Sequence, residues 1–132
     1  MAKYVYPAVF TAESEGGYSV VFPDIDGCFT QGEDTADALE AANDALCLML
    51  YHMEKDGKSI PAPSDIRAVT AGDDGFVSLV SCDTLEYKKF YDNRAVKKTL
   101  SIPSWLNEMA EAEHINFSSL LKEALMSKLN VS

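Results

Sequence analysis

The chain has 132 residues, of which 47% are hydrophobic, and its 11 Lys and Arg against 21 Asp and Glu give a formal net charge of −10. No apolar run approaches the roughly 18 residues that a membrane-spanning helix needs, and an acidic surface disfavours non-specific binding to nucleic acid or anionic membrane. The first six residues lack the apolar core of a signal peptide, so we expect a cytoplasmic protein.

The charge is divided unevenly along the chain, which favours two small domains. Residues 1–93 carry 6 Lys and Arg against 17 Asp and Glu, a net charge of −11, whereas residues 94–132 carry 5 against 4, a net charge of +1. From this division we expect an acidic domain over residues 1–83, a polar linker over 84–93, and a nearly neutral second domain over 94–132. The acidic surface of the first domain would attract basic partners.

An antiparallel sheet with one covering helix, in the order βββαβ, is predicted for the first domain. Alternating apolar side chains between turn residues predict strands over residues 4–11, 18–22, 28–31 and 76–82. The helix is predicted to begin at a Thr35 cap and to end at Gly57. Its apolar stripe consists of Leu39, Ala42, Leu46, Met49, Leu50 and Met53. Packing such a helix on one face of the sheet buries both in two layers, as in an α+β fold.

A set of turn and strand motifs in this first domain resembles the HicB antitoxin family. The motifs are Tyr6-Pro7-Ala8, Gly17-Tyr18-Ser19-Val20, Phe22-Pro23-Asp24, Gly27-Cys28, Thr30-Gln31-Gly32, Ala38-Leu39 and the run from Asp56 to Ser64. The resemblance implies an antitoxin of a type II toxin–antitoxin system that binds and silences a small basic HicA-like toxin, a ribonuclease that cleaves mRNA. It also implies a C-terminal module that binds operator DNA, of either helix-turn-helix or ribbon-helix-helix type.

The second domain is predicted to be a βαα unit. Residues 97–102 alternate as a strand, Pro103 suits the first position of a helix, and a second helix carries apolar side chains at helical spacing from Phe117 to Leu129. A unit this small buries too little core alone. We therefore expect the strand to pair with its own copy, in a homodimer or a higher even-numbered oligomer.

The segment from Val96 to about Leu129 resembles the ribbon-helix-helix family of dimeric repressors. This resemblance implies that the side chains that contact base edges are Lys97, Thr99 and Ser101. It also implies that the start of the second helix, at Phe117 and Ser118, holds a DNA phosphate. Asn116 precedes these residues, and its residue type makes it the expected cap of that helix. A helical hairpin that serves only for dimerisation is the alternative.

No residue pattern points to catalysis, to a metal site or to a cofactor. The three cysteines are widely spaced without a CxxC pair, so we expect buried or half-buried thiols. If the fold brought Asp24, Asp26, Asp44 and Glu40 together, they could hold two metal ions, which leaves a ribonuclease H-like, metal-dependent nuclease as one alternative. A dimeric transcription regulator without a toxin is another. The favoured interpretation is a non-enzymatic antitoxin that represses its own operon.

Overall fold

A computed structural model describes residues 3–91 and 93–132. The chain divides into two compact units, Met1–Arg94 and Ala95–Ser132. The elements of the first unit are β1 (Lys3–Ala12), β2 (Tyr18–Val21), β3 (Phe29–Gly32), α1 (Thr35–Lys55), a short 3-10 turn (Ile66–Ala68), β4 (Gly75–Asp83) and α2 (Thr84–Tyr91). The second unit contains α3 (Ser104–Ala112) and α4 (Phe117–Leu129). The predicted α+β fold and its βββαβ order are confirmed.

The four strands form one antiparallel sheet in the order β3-β2-β1-β4. β4 pairs with nearly all of β1, from Lys3 opposite Asp83 to Thr11 opposite Gly75. The turn between β1 and β2 uses a glycine with φ of +81°, Gly17. That conformation is strained for other residues, and a Cβ there would also lie only 2.5 Å from the Gly32 carbonyl oxygen.

The cap of α1 is Asp34 rather than the predicted Thr35. The Asp34 carboxylate accepts a hydrogen bond from the Asp37 N–H at 2.8 Å, and the Asp37 carboxylate accepts one from the Glu33 N–H at 2.8 Å. These two bonds satisfy two N–H groups at the helix start, in a variant of the capping box in which the second bond goes to the residue before the cap. The helix ends before Gly57, whose φ of +69° fits the predicted terminating glycine.

The core lies between α1 and one face of the sheet. It is formed by Tyr6, Ala8, Phe10, Val20, Phe22, Ile25, Cys28, Ala38, Ala42, Leu46, Cys47, Leu50, Val80 and Cys82. Leu39, which was predicted to lie in the helix stripe, is 40% exposed, and Ala38 is buried in its place. The physical reason is the close approach of α1 to β3, where a Cβ on Gly32 would lie 2.4 Å from the Ala38 nitrogen.

Two side-chain hydrogen bonds fix α1 against the strands that it covers. The Asn43 amide donates to the Ser81 carbonyl on β4 at 2.5 Å. The Tyr4 hydroxyl on β1 donates to the Glu54 carboxylate at 2.7 Å, and this bond is the main reason that the pKa of Tyr4 is raised to about 12. The start of β1 and the end of β4, which pair with each other, are thereby held to α1.

The segment predicted to be a linker, residues 84–93, instead contains α2. The Asp83 carboxylate caps this helix by accepting hydrogen bonds from the Leu85 N–H at 3.0 Å and the Glu86 N–H at 3.2 Å. Thr84 is buried, and the Tyr87 ring lies 5.5 Å from that of Tyr51 on α1. A helix cap and an aromatic contact thus bind this segment to the first unit.

The second unit does not contain the predicted strand within a single chain. Residues 97–102 have no strand hydrogen bonds in the described part of the chain, since a strand requires a paired neighbour and these residues have none there. The helices α3 and α4 are present as predicted, although Pro103 is the cap residue of α3 and not its first helical residue. Neither helix buries a residue, and the Leu100, Leu120 and Leu125 side chains are 64%, 53% and 51% exposed.

Candidate functional site

The acidic unit presents apolar side chains on the sheet face opposite α1. Strand alternation places Val5, Val21, Phe29 and Leu79 on this face, where they are 46%, 50%, 70% and 52% exposed. The register joins Val9 to Val21 and Val21 to Phe29, so a row of apolar side chains crosses three strands. Grouped apolar exposure of this kind is typical of protein-interaction surfaces.

Asp24 and Asp26 lie in the turn between β2 and β3. Asp24 accepts hydrogen bonds from the Ser64 N–H at 2.9 Å and from the Ser64 hydroxyl at 2.5 Å. This carboxylate therefore ties the connector that follows α1 to the β2–β3 turn. Within residues 3–91 and 93–132, no three His, Cys, Asp or Glu side chains are grouped as a metal site requires, so the fold does not bring Asp24 and Asp26 together with Glu40 and Asp44.

All three cysteines are buried free thiols, as predicted. Burial raises the pKa of Cys28 to about 11. Cys47 on α1 and Cys82 on β4 share a hydrogen bond, and that bond, followed by burial, raises the pKa of the Cys82 thiol. Cys28, Cys47 and Cys82 all belong to the core between α1 and the sheet, where a buried thiol packs as a small apolar side chain.

A cleft of about 420 Å³ lies between α1, the end of β4 and α2, and is called the α2 cleft below. Its polar and aromatic lining includes Asp44, Asp83, Glu86, Tyr87, Phe90 and Tyr91. The sequence interpretation missed this site because it treated residues 84–93 as a linker. One signal in the sequence could have predicted α2. Glu86 follows Asp83 by three residues, and this spacing is typical of a helix start.

The three residues predicted to contact base edges lie before α3, in a segment without regular secondary structure. Lys97, Thr99 and Ser101 are all exposed. In a strand, side-chain alternation would place these three on the face opposite Leu100 and Ile102. The segment therefore carries the apolar and polar sides that a two-stranded ribbon needs.

The start of α4 has the geometry predicted for it. Asn116 is the cap residue, and its side-chain oxygen accepts a hydrogen bond from the Ser119 N–H at 3.1 Å. Phe117 begins the helix and Ser118 follows, and both are exposed. The first N–H groups of a helix have no partner within it, so this end can accept an anion such as a phosphate.

By fold, the chain is a two-unit α+β protein whose first unit is a four-stranded antiparallel sheet covered by one long helix. None of the helices in the described ranges is both long and apolar enough to cross a membrane. Compared with known families, residues 6–125 match the model described as HicB_like antitoxin of bacterial toxin–antitoxin system. The match extends over most of both units, and the chain belongs to this HicB-like antitoxin family.

Relatives of known name support the same assignment. The chain is 44% identical to Antitoxin HicB of Escherichia coli strain K12 over 63 residues, which are 48% of this chain and 46% of that protein. It is 41% identical over 61 residues to Antitoxin HicB 1 of Photorhabdus laumondii, or 46% of this chain and 39% of that protein. The match thus spans about half the length of these relatives or less.

Solved structures resemble the whole chain. A chain of a toxin–antitoxin complex from Streptococcus pneumoniae superposes with a TM-score of 0.61 at 29% identity, covering 96% of this chain and 99% of that one. The crystal structure of the Burkholderia pseudomallei antitoxin HicB gives a TM-score of 0.55 at 21% identity, covering 96% and 98%. The second likeness concerns the fold alone.

Proposed function

We propose that this protein is an antitoxin that neutralises a basic, HicA-like mRNA-cleaving toxin by direct binding and represses its own operon by binding operator DNA. The family match over residues 6–125 is the observation that carries this proposal. The division of charge supports it, because a domain with a net charge of −11 suits a basic protein partner and not a nucleic acid. The toxin would bind the acidic unit.

The second unit is proposed to act as a ribbon-helix-helix homodimer. Its helices bury no residue, and Val96, Leu100 and Trp105 are 75%, 64% and 63% exposed. Burial of apolar surface contributes a favourable free energy of about 25 cal/mol for each Å² removed from water. Two copies would bury them together, with residues 97–102 of each copy paired as a two-stranded ribbon.

Operator binding is proposed for the outer face of that ribbon. A two-stranded ribbon fits the major groove of B-DNA, where Lys97, Thr99 and Ser101 would contact base edges. The two α4 starts, each with Asn116, Phe117 and Ser118, would hold phosphates on either side. With only five Lys and Arg in residues 94–132, binding would depend on this geometry more than on non-specific attraction.

Co-expression with the adjacent reading frame tests the proposal. The expected result is that a small basic protein arrests growth alone, that this chain relieves the arrest, and that the two proteins co-purify. A gel shift on the upstream promoter should show binding by the same chain. Promoter binding without any partner would instead indicate a dimeric regulator without a toxin, and RNA cleavage by the purified chain that requires a divalent metal would indicate a nuclease.

A further inference from the structure

The α2 cleft combines negative charge with exposed aromatic rings. Its 420 Å³ are bordered by three carboxylates, Asp44, Asp83 and Glu86, and by the rings of Tyr87, Phe90 and Tyr91. All of these residues belong to the first unit. Asp44 is exposed on α1, whereas Asp83 and Glu86 lie at the start of α2, so the charges approach the cleft from two sides.

The charge of this cleft is only partly compensated. Glu86 forms an ion pair with Lys89 at 2.8 Å, and Asp83 accepts hydrogen bonds from the first N–H groups of α2. In the described part of the chain, no Lys or Arg forms an ion pair with Asp44 or Asp83. At least one full carboxylate charge therefore faces the cleft without a cation beside it.

The rings form a connected cluster with accessible faces. The Tyr87 and Tyr91 centroids are 4.6 Å apart, and those of Phe90 and Tyr91 are 4.8 Å apart. Tyr87 is anchored against Tyr51 on α1, whereas Phe90 and Tyr91 remain 76% and 64% exposed. These two exposed rings are available to a partner, and aromatic side chains contribute large contact areas to interfaces.

We propose that the α2 cleft binds an arginine side chain of the basic protein partner. A guanidinium stacks on an aromatic face while donating paired hydrogen bonds to a carboxylate, and it loses its hydration more easily than an ammonium does. The carboxylates exclude an anionic ligand. A second copy of the unit is disfavoured as the occupant because each copy carries a net charge of −11 over residues 1–93. The inference deepens the proposed function and, where it names the partner, rests on it.

A small-molecule titration tests the cleft itself. The probe is N-acetyl-arginine amide, and the matched ligand is N-acetyl-citrulline amide, which has nearly the same shape without the charge. Amide spectra of the full-length ¹⁵N-labelled chain should show saturable shifts at residues 43–47 and 83–91 with the arginine probe only. Asp44→Asn should weaken this binding about 3-fold, in the range for the loss of an exposed ion pair. Glu40→Gln, which removes the same charge one helical turn earlier, should leave it unchanged.

The proposal is overturned if the arginine probe shifts no residues of the cleft, if the citrulline probe shifts them equally, or if Asp44→Asn binds the probe as the wild type does. A lysine probe that binds as tightly as arginine would contradict the stacking argument. A cooperative thermal unfolding transition with a Tm close to that of the wild type shows that each variant is folded.

The basic protein that co-purifies provides the second arm. Asp44→Asn and Tyr91→Ala should each lower its affinity for the full-length antitoxin, whereas Glu40→Gln should not. If that protein binds the wild type and both cleft variants equally, the role of the cleft in partner recognition is wrong and the proposed function stands. If no basic protein binds the wild type at all, the proposed function fails, while the probe titration still decides whether the cleft binds a guanidinium.

Discussion

Replacing Gly32 by alanine should destabilise the first unit because the new methyl group has no space. An added Cβ would lie 2.4 Å from the Ala38 nitrogen, 2.5 Å from the Ala38 Cα and 2.8 Å from the Asp37 carbonyl carbon. All three are backbone atoms of α1, so no side chain can rotate away. Ordinary contact begins at 3.4 Å, and α1 must therefore withdraw by about 1 Å from the sheet, an overpacking strain that costs roughly 1–3 kcal/mol.

The matched control is Gly72→Ala. A Cβ at Gly72 meets nothing within 4 Å, and its φ is not in the left-handed region. Alanine at this position should be neutral or should stabilise the protein by about 0.4–1 kcal/mol, because it lowers the conformational entropy of the unfolded chain. If Gly32→Ala lowers the free energy of unfolding by about 2 kcal/mol, its Tm should fall by roughly 8–16 °C for a domain of this size.

Thermal unfolding followed by tyrosine near-UV circular dichroism measures this difference. All six tyrosines lie in the first unit and the single tryptophan lies in the second, so the tyrosine signal reports the unit that contains Gly32. If Gly32→Ala and Gly72→Ala melt within about 2 °C of each other, the contact between β3 and α1 does not limit stability and the steric argument is wrong.

Three further predictions concern the dimer, the operator and the pH range. Leu100→Pro removes a ladder N–H and an apolar side chain and should yield a monomer in sedimentation experiments; a stable dimer would place the seam elsewhere. Lys97→Ala should weaken operator binding in a gel shift by roughly 1–3 kcal/mol, and Lys128→Ala should do much less, whereas equal losses would argue against base contact. The hydrogen bond to Glu54 raises the pKa of Tyr4 to about 12, so its stabilising effect is complete below pH 10 and is lost as pH rises towards 12. Tyr4→Phe should flatten this alkaline loss of Tm, and an unchanged profile would contradict it.

The sequence was sufficient where the local pattern and the tertiary environment agree. Alternation in β1 and β4 predicted both strands, and the spacing of Ala42, Leu46 and Leu50 predicted the buried face of α1. It was insufficient at the helix start, where Asp34 and Thr35 are adjacent and either is a good cap. Only the bond from the Asp37 N–H decides between them.

The candidate site was predicted less well than the fold, since its members are distant in sequence. Asp24 is held by Ser64, 40 residues away, and no spacing rule relates the two. The α2 cleft needs Asp44 from α1 beside Tyr87 from a segment whose polar composition is typical of a linker. Tertiary contacts with the rest of the first unit stabilise α2, and such contacts cannot be predicted from the composition of the segment. Asn116, in contrast, was predicted as the α4 cap from local chemistry alone, and the structure confirms that position.

Because α3 and α4 bury no residue within one chain, the stability of the second unit should depend on the protein concentration in the cell. If another copy covers the apolar surface of the second unit, as proposed, the folded fraction of that unit falls as the protein concentration falls, whereas the first unit has its own core. As cells grow and dilute the protein, we expect the second unit to lose its fold first. Under the proposed function, the protein would then leave its operator before it releases the toxin, so that resynthesis would begin while the toxin is still bound. Trp105 fluorescence on serial dilution, against a constant tyrosine signal, would measure that separation.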